Sequence, residues 1–282
     1  MFGGARKHLP DSYENGIYRR VLQVDGKSVL VSISSLGTTL KPRLRVEVHP
    51  HLSKSKSLLL RAVLNRMVEA SFDYVGFLRV ARKDRIMRDV CSDLAGIRPV
   101  RPPTIFEILI IAITEQQISF DAAITIRSRL VERCGERMAV DGTAFYAFPT
   151  PEVLAHTTLS KLRRVGLSRA KAQYIKELSK RIVSKELELE GLRKLTDEAA
   201  MAELMRIKGV GRWSAEYALL RGLGRVNSLP ADDLGVQRAV SISYFHGRKV
   251  SSDKVRRVLR KFAPYSGIAA FYLMYNLFWR AI

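Results

Sequence analysis

From Gly16 to Val48 the chain reads as β-structure. Val21-Leu22-Gln23-Val24 and Ser28-Val29-Leu30-Val31 flank Asp25-Gly26, a dipeptide that supplies the positive φ angles of a tight hairpin. Arg43-Leu44-Arg45-Val46-Glu47-Val48 alternates polar and apolar residues, which predicts a half-buried strand. The period then changes. Leu59, Val63, Met67 and Ala70 recur at three- and four-residue spacing and predict a helix with that face inward. Together these elements predict a small N-terminal α+β domain over residues 1–82. Residues 83–282 read as almost wholly helical. After the break at Arg101-Pro102-Pro103, Thr104 and Glu107 form a capping-box pattern opening a helix over residues 105–119. Further helices are predicted at 121–133, 168–184, 196–206, 212–223, 234–245, 252–262 and 267–282. Short loops join most of them, so the fold class is mainly α, a multi-helix body behind the small α+β domain. One internal echo is present: Leu162–Ser168 resembles Met205–Arg212, each a helix, a glycine turn and a helix.

Composition narrows the function classes. At 282 residues, 47% hydrophobic and 27% charged, the chain has enough apolar material for a packed core, which excludes wholesale disorder. The net charge of +21 predicts a polyanionic partner, nucleic acid first and an anionic membrane surface second. Cys91 and Cys134 are the only cysteines, so the chain has neither a disulfide framework nor a four-cysteine zinc or iron–sulfur site. The five histidines are scattered and predict no metal site. The first sixteen residues lack the apolar core of a secretory signal. The apolar stretch 268–279 is interrupted by Asn276 and too short to span a bilayer. A soluble, intracellular protein is expected.

The segment Leu204–Ala215 carries the chemistry. A helix free of Gly and Pro runs into Gly209-Val210-Gly211, and a new helix begins at Arg212. Two glycines permit a tight turn and close approach to a partner. The first N–H groups of the new helix lack intrahelical acceptors and carry positive partial charge. Such a turn can hold a phosphate through backbone amides without reading sequence, and Lys208 and Arg212 add charge beside it. An ordinary helical hairpin with a glycine cap has the same pattern. Downstream, within Leu229–Ala239, lie Asp232 and Asp233 at the start of the next helix. Hairpin, spacing and acidic residue together resemble the helix–hairpin–helix DNA glycosylase superfamily, most closely its AlkA-type 3-methyladenine DNA glycosylase II branch. The resemblance runs from about Ile97 to the C-terminus.

The resemblance implies a monofunctional glycosylase that hydrolyses the N-glycosidic bond of alkylated bases, of the 3-methyladenine type, flipped out of double-stranded DNA. It makes Asp233 catalytic, with a helix N-cap as the competing role for it and for Asp232. It places Lys208, Gly209, Val210, Gly211, Arg212 and Ser214 on DNA. Trp213, Tyr217, Tyr265 and Phe120 would line the base pocket, each with core packing as its alternative. Bifunctional relatives carry a lysine nucleophile where this chain has Trp213, so no lyase step is expected. Gln117 matches the family's wedge position; Gln116 is the alternative wedge, and a polar helix end is the other reading of both. No cofactor is implied, and a cytoplasmic monomer is expected, associated with the nucleoid in a prokaryote. A glycosylase for oxidised or deaminated purines and a non-catalytic DNA-binding protein are the alternatives.

Overall fold

The computed structural model describes residues 10–38 and 41–279. Residues 1–9 of the predicted N-terminal domain, His8 among them, and the last three residues of the helix predicted at 267–282 lie outside the described residues. Four antiparallel strands, β1 (Asp11–Glu14), β2 (Ile17–Val24), β3 (Lys27–Ser35) and β4 (Leu44–His49), form one sheet in sequential order. The predicted hairpin is present: Asp25 and Gly26 have φ of 49° and 72°, and Val24 pairs with Lys27. β1 is not among the predicted strands, although Asn15 and Gly16, with φ of 51° and 77°, turn the chain by the same chemistry.

Two predicted burial patterns are corrected. β4 is exposed along nearly its whole length. It is the sheet's edge, and the buried positions sit on the central strands β2 and β3, so its alternation records pleating without burial. The helix α1 (Lys54–Met67) buries Leu60, Leu64 and Met67, while Leu59 is 54% exposed and Ala70 lies beyond its end. Three-and-four spacing fits two adjacent stripes of one helix, and the buried stripe is the neighbour of the predicted one.

The helical part continues with α2 (Tyr74–Ala81), α3 (Arg85–Asp93), α4 (Ile105–Glu115) and α5 (Phe120–Cys134). A small hairpin of β5 (Arg137–Val140) and β6 (Thr143–Tyr146) follows, then α6 (Pro151–His156), α7 (Leu159–Arg164), α8 (Arg169–Val183) and α9 (Asp197–Met205). The last helices are α10 (Arg212–Ala218), α11 (Leu234–Phe245), α12 (Ser252–Leu259) and α13 (Ser266–Trp279). α4 stops at Glu115, short of its predicted end at 119. Thr104 caps its start through the Glu107 N–H (3.1 Å), but Gln117 takes a left-handed φ of 56° and breaks the helix. α10 runs directly into a π-helical turn, Leu219–Leu223, closed by left-handed Gly224. Among the described residues no helix is long and apolar enough to cross a membrane.

Packing divides the described chain into two compact units, and the division falls elsewhere than the predicted boundary at 82/83. One unit takes the residues up to Leu64 with Leu109–Leu189, the other Asn65–Ile108 with Glu190–Ile282. The predicted boundary falls in the short loop between α2 and α3. Packing is decided instead by α2 and α3, whose Phe77, Ala81, Met87 and Val90 share one core with Val236, Val240, Phe262 and Tyr272 from the chain between α11 and α13. In the other unit, Val21 and Leu30 of the sheet pack on Ala147, with Met138, Val140 and Phe145 of the second hairpin beside them.

Candidate active site

The hairpin is built as its residues require. Thr196 caps α9 by accepting from the Ala199 N–H, and the helix ends at Arg206 in right-handed conformation. Ile207 and Val210 are buried and anchor the turn, with the Val210 N–H donating to the Ile207 carbonyl at 2.9 Å. Gly209 between them has φ of 86°, a conformation that a Cβ disfavours. Gly211 is the N-cap of α10 in extended conformation, and it brings no side-chain cap. The first amides of α10, on Arg212, Trp213 and Ser214, thus face a helix start without the oxygen that a Ser, Thr or Asp would supply. Lys208, Gly211 and Arg212 are exposed.

Two members of the predicted DNA-binding set, Val210 and Ser214, are buried. Ser214 as a whole residue is only 1% exposed. Neither side chain reaches a ligand outside the protein, because both are taken up by the packing beneath the turn. Val210 anchors the turn.

Trp213 and Asp233 come together. The indole N–H donates to Asp233 Oδ2 at 2.9 Å, and the other carboxylate oxygen, Oδ1, accepts the Val236 N–H at 3.0 Å. Asp233 is the N-cap of α11 and the partner of Trp213 at once. The sequence leaves open that one acidic residue caps while the other faces a substrate; in the structure Asp233 is the cap and also the one that meets Trp213. Asp232 is exposed, with its carboxylate 3.5 Å from Arg256 Nη2. Gly235 leaves room for the Asp233 carboxylate: a Cβ there would come within 3.0 Å of Oδ1 and 3.3 Å of Met274 Sδ.

Trp213 is also stacked. Its ring lies 5.6 Å from that of Tyr217 with 7° between the planes, and the Arg221 guanidinium sits 5.9 Å from the Tyr217 centroid and 5.4 Å from that of Phe271. Residues 213, 217 and 221 succeed one another at four-residue spacing along one helical face. Tyr217 is therefore a packing partner of Trp213, with its ring committed to its two neighbours. Tyr265 keeps other company: its hydroxyl donates to Asp73 Oδ2 at 2.8 Å and its ring meets Phe72 and Phe77 edge-on. Burial, together with the hydrogen bond to the Asp73 carboxylate, raises the Tyr265 hydroxyl above its ordinary pKa.

Sequence reasoning missed Glu216 and Arg256. Glu216 is buried on α10, and its carboxylate takes Arg212 Nε at 3.1 Å and Arg256 Nη2 at 2.9 Å. Arg256 Nη1 also donates to the Leu229 carbonyl, and the Ser228 hydroxyl to that of Glu216. The length of chain leading to Asp233 is thereby tied to the helix that carries Trp213. A glutamate four residues after an arginine was the available signal; its bond to a residue forty positions later was not.

In the other unit, Gln116 is half-buried, while Gln117 and Phe120 are exposed, Phe120 by 61%. Phe120 opens α5 behind the Ser119 cap.

The likenesses to known proteins agree with this geometry. The family model for HhH-GPD superfamily base excision DNA repair protein matches residues 110–264. The DNA-3-methyladenine glycosylase of Bacillus subtilis (strain 168) is 28% identical over 210 residues, 74% of this chain and 68% of that protein. The solved structure of a 3-methyladenine DNA-glycosylase from Archaeoglobus fulgidus is similar with a TM-score of 0.85 and 33% identity, covering 97% of this chain and 91% of that one. A Clostridium acetobutylicum 8-oxoguanine glycosylase/lyase, solved with double-stranded DNA containing cytosine opposite 8-oxoG, gives 0.77 and 25%, covering 96% and 87%. A family match over more than half of the chain, with a third of the residues identical across a nearly full-length fold, places this protein in the HhH-GPD superfamily of base excision DNA repair proteins.

Proposed function

We propose that this chain is a monofunctional DNA glycosylase that removes alkylated bases, of the 3-methyladenine type, from double-stranded DNA in base excision repair. The observation that carries the reading is the Asp233 carboxylate, fixed by Trp213 Nε1 and the Val236 N–H just beyond the glycine hairpin. In the proposed reaction the hairpin amides with Lys208 and Arg212 grip a backbone phosphate. The extruded base, cationic when alkylated at N3 or N7, stacks on the Trp213 indole, whose ring face attracts positive charge; Tyr217 backs that indole. The C1′–N bond breaks with its electron pair going to the base, which thereby becomes neutral. Asp233 stabilises the positive charge left on the sugar, orients the water that adds to C1′ and accepts the proton that this water releases. Gln117 and Gln116 are the proposed wedge.

Trp213 favours hydrolysis over a lyase step. A lyase needs an amine to form a Schiff base with the sugar, and an indole, its N–H engaged by a carboxylate, provides none. The protein is proposed to act as a monomer in the cytoplasm. Duplex DNA treated with dimethyl sulfate, incubated with the protein and chromatographed, should yield free methylated bases, and borohydride should trap no protein–DNA adduct. Release of 8-oxoguanine in place of methylated bases, or a trapped adduct, contradicts the reading.

A further inference from the structure

The turn after α4 combines strain, exposed apolar surface and a partly buried cation. Gln117 sits at φ of 56°, where a residue with a Cβ is disfavoured, and its side chain is exposed. Ile118 and Phe120 beside it are exposed by 38% and 61%. At the foot of the turn, Lys171 from the first turn of α8 sends its ammonium to the Thr114 carbonyl (2.8 Å) and the Gln116 carbonyl (2.5 Å). Carbonyls at a helix C-terminus lack intrahelical partners and carry negative partial charge, so a cation there is well matched. Burial holds this ammonium below the usual lysine range, so the contact is retained against a desolvation cost. Arg127 adds a second tie, to Glu115 at 3.6 Å.

We infer that Lys171 is a positioning residue that braces the Gln116–Phe120 turn as a stiff probe inserted into the base stack of the duplex. The inference rests on the glycosylase reading above. Extruding a paired base costs a few kcal/mol of stacking and pairing, and an inserted side chain offsets that cost only if its support does not yield. A turn at an unfavoured φ relaxes unless its base is clamped, and the Lys171 ammonium is that clamp. The brace therefore matters where the lesion must be pulled from an intact stack, and little where it is already unpaired.

The experiment uses one oligonucleotide methylated with dimethyl sulfate. It is annealed either to its full complement or to a strand that leaves the treated bases in a short bubble flanked by duplex. Base release is measured for the unaltered chain, Lys171→Met and Gln117→Gly; glycine adopts the left-handed angle freely, so the second variant keeps the turn and removes the tip. In both variants the ratio of paired to bubble release should fall by about tenfold or more, since unstacking is the step impaired. An unchanged ratio in Lys171→Met, whatever Gln117→Gly does, or equal losses on both substrates, overturns the inference and makes Lys171 a structural cap. Absence of release by the unaltered chain from either substrate removes the glycosylase reading, and this inference with it.

Discussion

The chain makes the same turn twice and uses it differently. At Leu162–Ser168, α7 runs through Val165 and left-handed Gly166 (φ 112°) into α8; at Met205–Arg212, α9 runs through left-handed Gly209 into α10. The difference lies in one residue at the start of the second helix. Ser168 caps α8, its hydroxyl accepting the Lys171 N–H at 3.3 Å. Gly211 stands at the corresponding place before α10 and supplies no side-chain oxygen. A helix start closed by its own side chain is a structural joint, and the one that lacks such a cap is the proposed phosphate site. The glycines, the most visible feature in the sequence, are common to both turns and so do not distinguish them; the capping position does.

The largest test concerns the chain downstream of each turn. Only the open turn leads to a helix capped by a carboxylate that also meets an indole. Asp233→Asn preserves the cap, since asparagine caps as well as aspartate, and should lower base release by about a hundredfold or more. DNA binding, read by fluorescence anisotropy, should be nearly unchanged. Retained release with Asp233→Asn, and its loss with Asp232→Asn, would move the chemistry to the neighbouring residue.

Next in size is the conversion of one turn into the other. A Cβ at Gly211 meets nothing within 4 Å, and the backbone there is extended, so Gly211→Ser is sterically permitted. Its hydroxyl should compete with phosphate for the α10 amides and weaken binding to DNA of any sequence by about tenfold, the worth of one charge-assisted hydrogen bond. Stability should move the other way, rising by a few tenths of a kcal/mol, roughly 0.3. Opposite signs in binding titration and thermal melting are the signature; a loss in both means that the turn was merely damaged.

The reverse substitution is smaller. Ser168→Ala removes a working cap and should cost about 1 kcal/mol in denaturant unfolding. Affinity for undamaged DNA should stay within about twofold, because that helix start was never open to phosphate. A tenfold loss of affinity would erase the distinction between the turns.

The smallest effect belongs to another capping carboxylate, Asp84 at the start of α3. Burial pushes its carboxyl up, but the Lys261 ammonium, the Met87 N–H and the Tyr244 hydroxyl outweigh burial and hold it below its ordinary value. A depressed folded value means that the stabilisation is in full force above the unfolded carboxylate range, about 3.9, and fades as pH falls through the folded value. Asp84→Asn should flatten the acid limb of the stability curve and leave neutral-pH activity in place, as followed by melting across pH.

Much of this molecule was legible in its residues. The Asp25-Gly26 hairpin and the bounds of α11 come from local chemistry, as does the succession of helices after Arg101. Burial was harder to read, because periodicity shows that a face exists without showing what covers it. The outward β4 and the misassigned stripe of α1 share that cause. α4 is shorter than its pattern predicts because Gln117 adopts a backbone angle that glutamine rarely takes, and its brace lies in α8. At the site, Gly209, Gly211, Trp213 and Asp233 are local signals. The Glu216–Arg256 pairing and the Tyr265–Asp73 bond join residues far apart in sequence, which only folding brings into contact.

In the proposed reaction the double engagement of Asp233 bears on the timing of catalysis. One oxygen is held at the start of α11 and the other by an indole, so both ends of the carboxylate are engaged. Its field is oriented before any nucleic acid arrives, so little dipole reorganisation remains to be done at the moment of bond cleavage. The burden of motion passes to the substrate, which must travel to a charge that does not come to meet it.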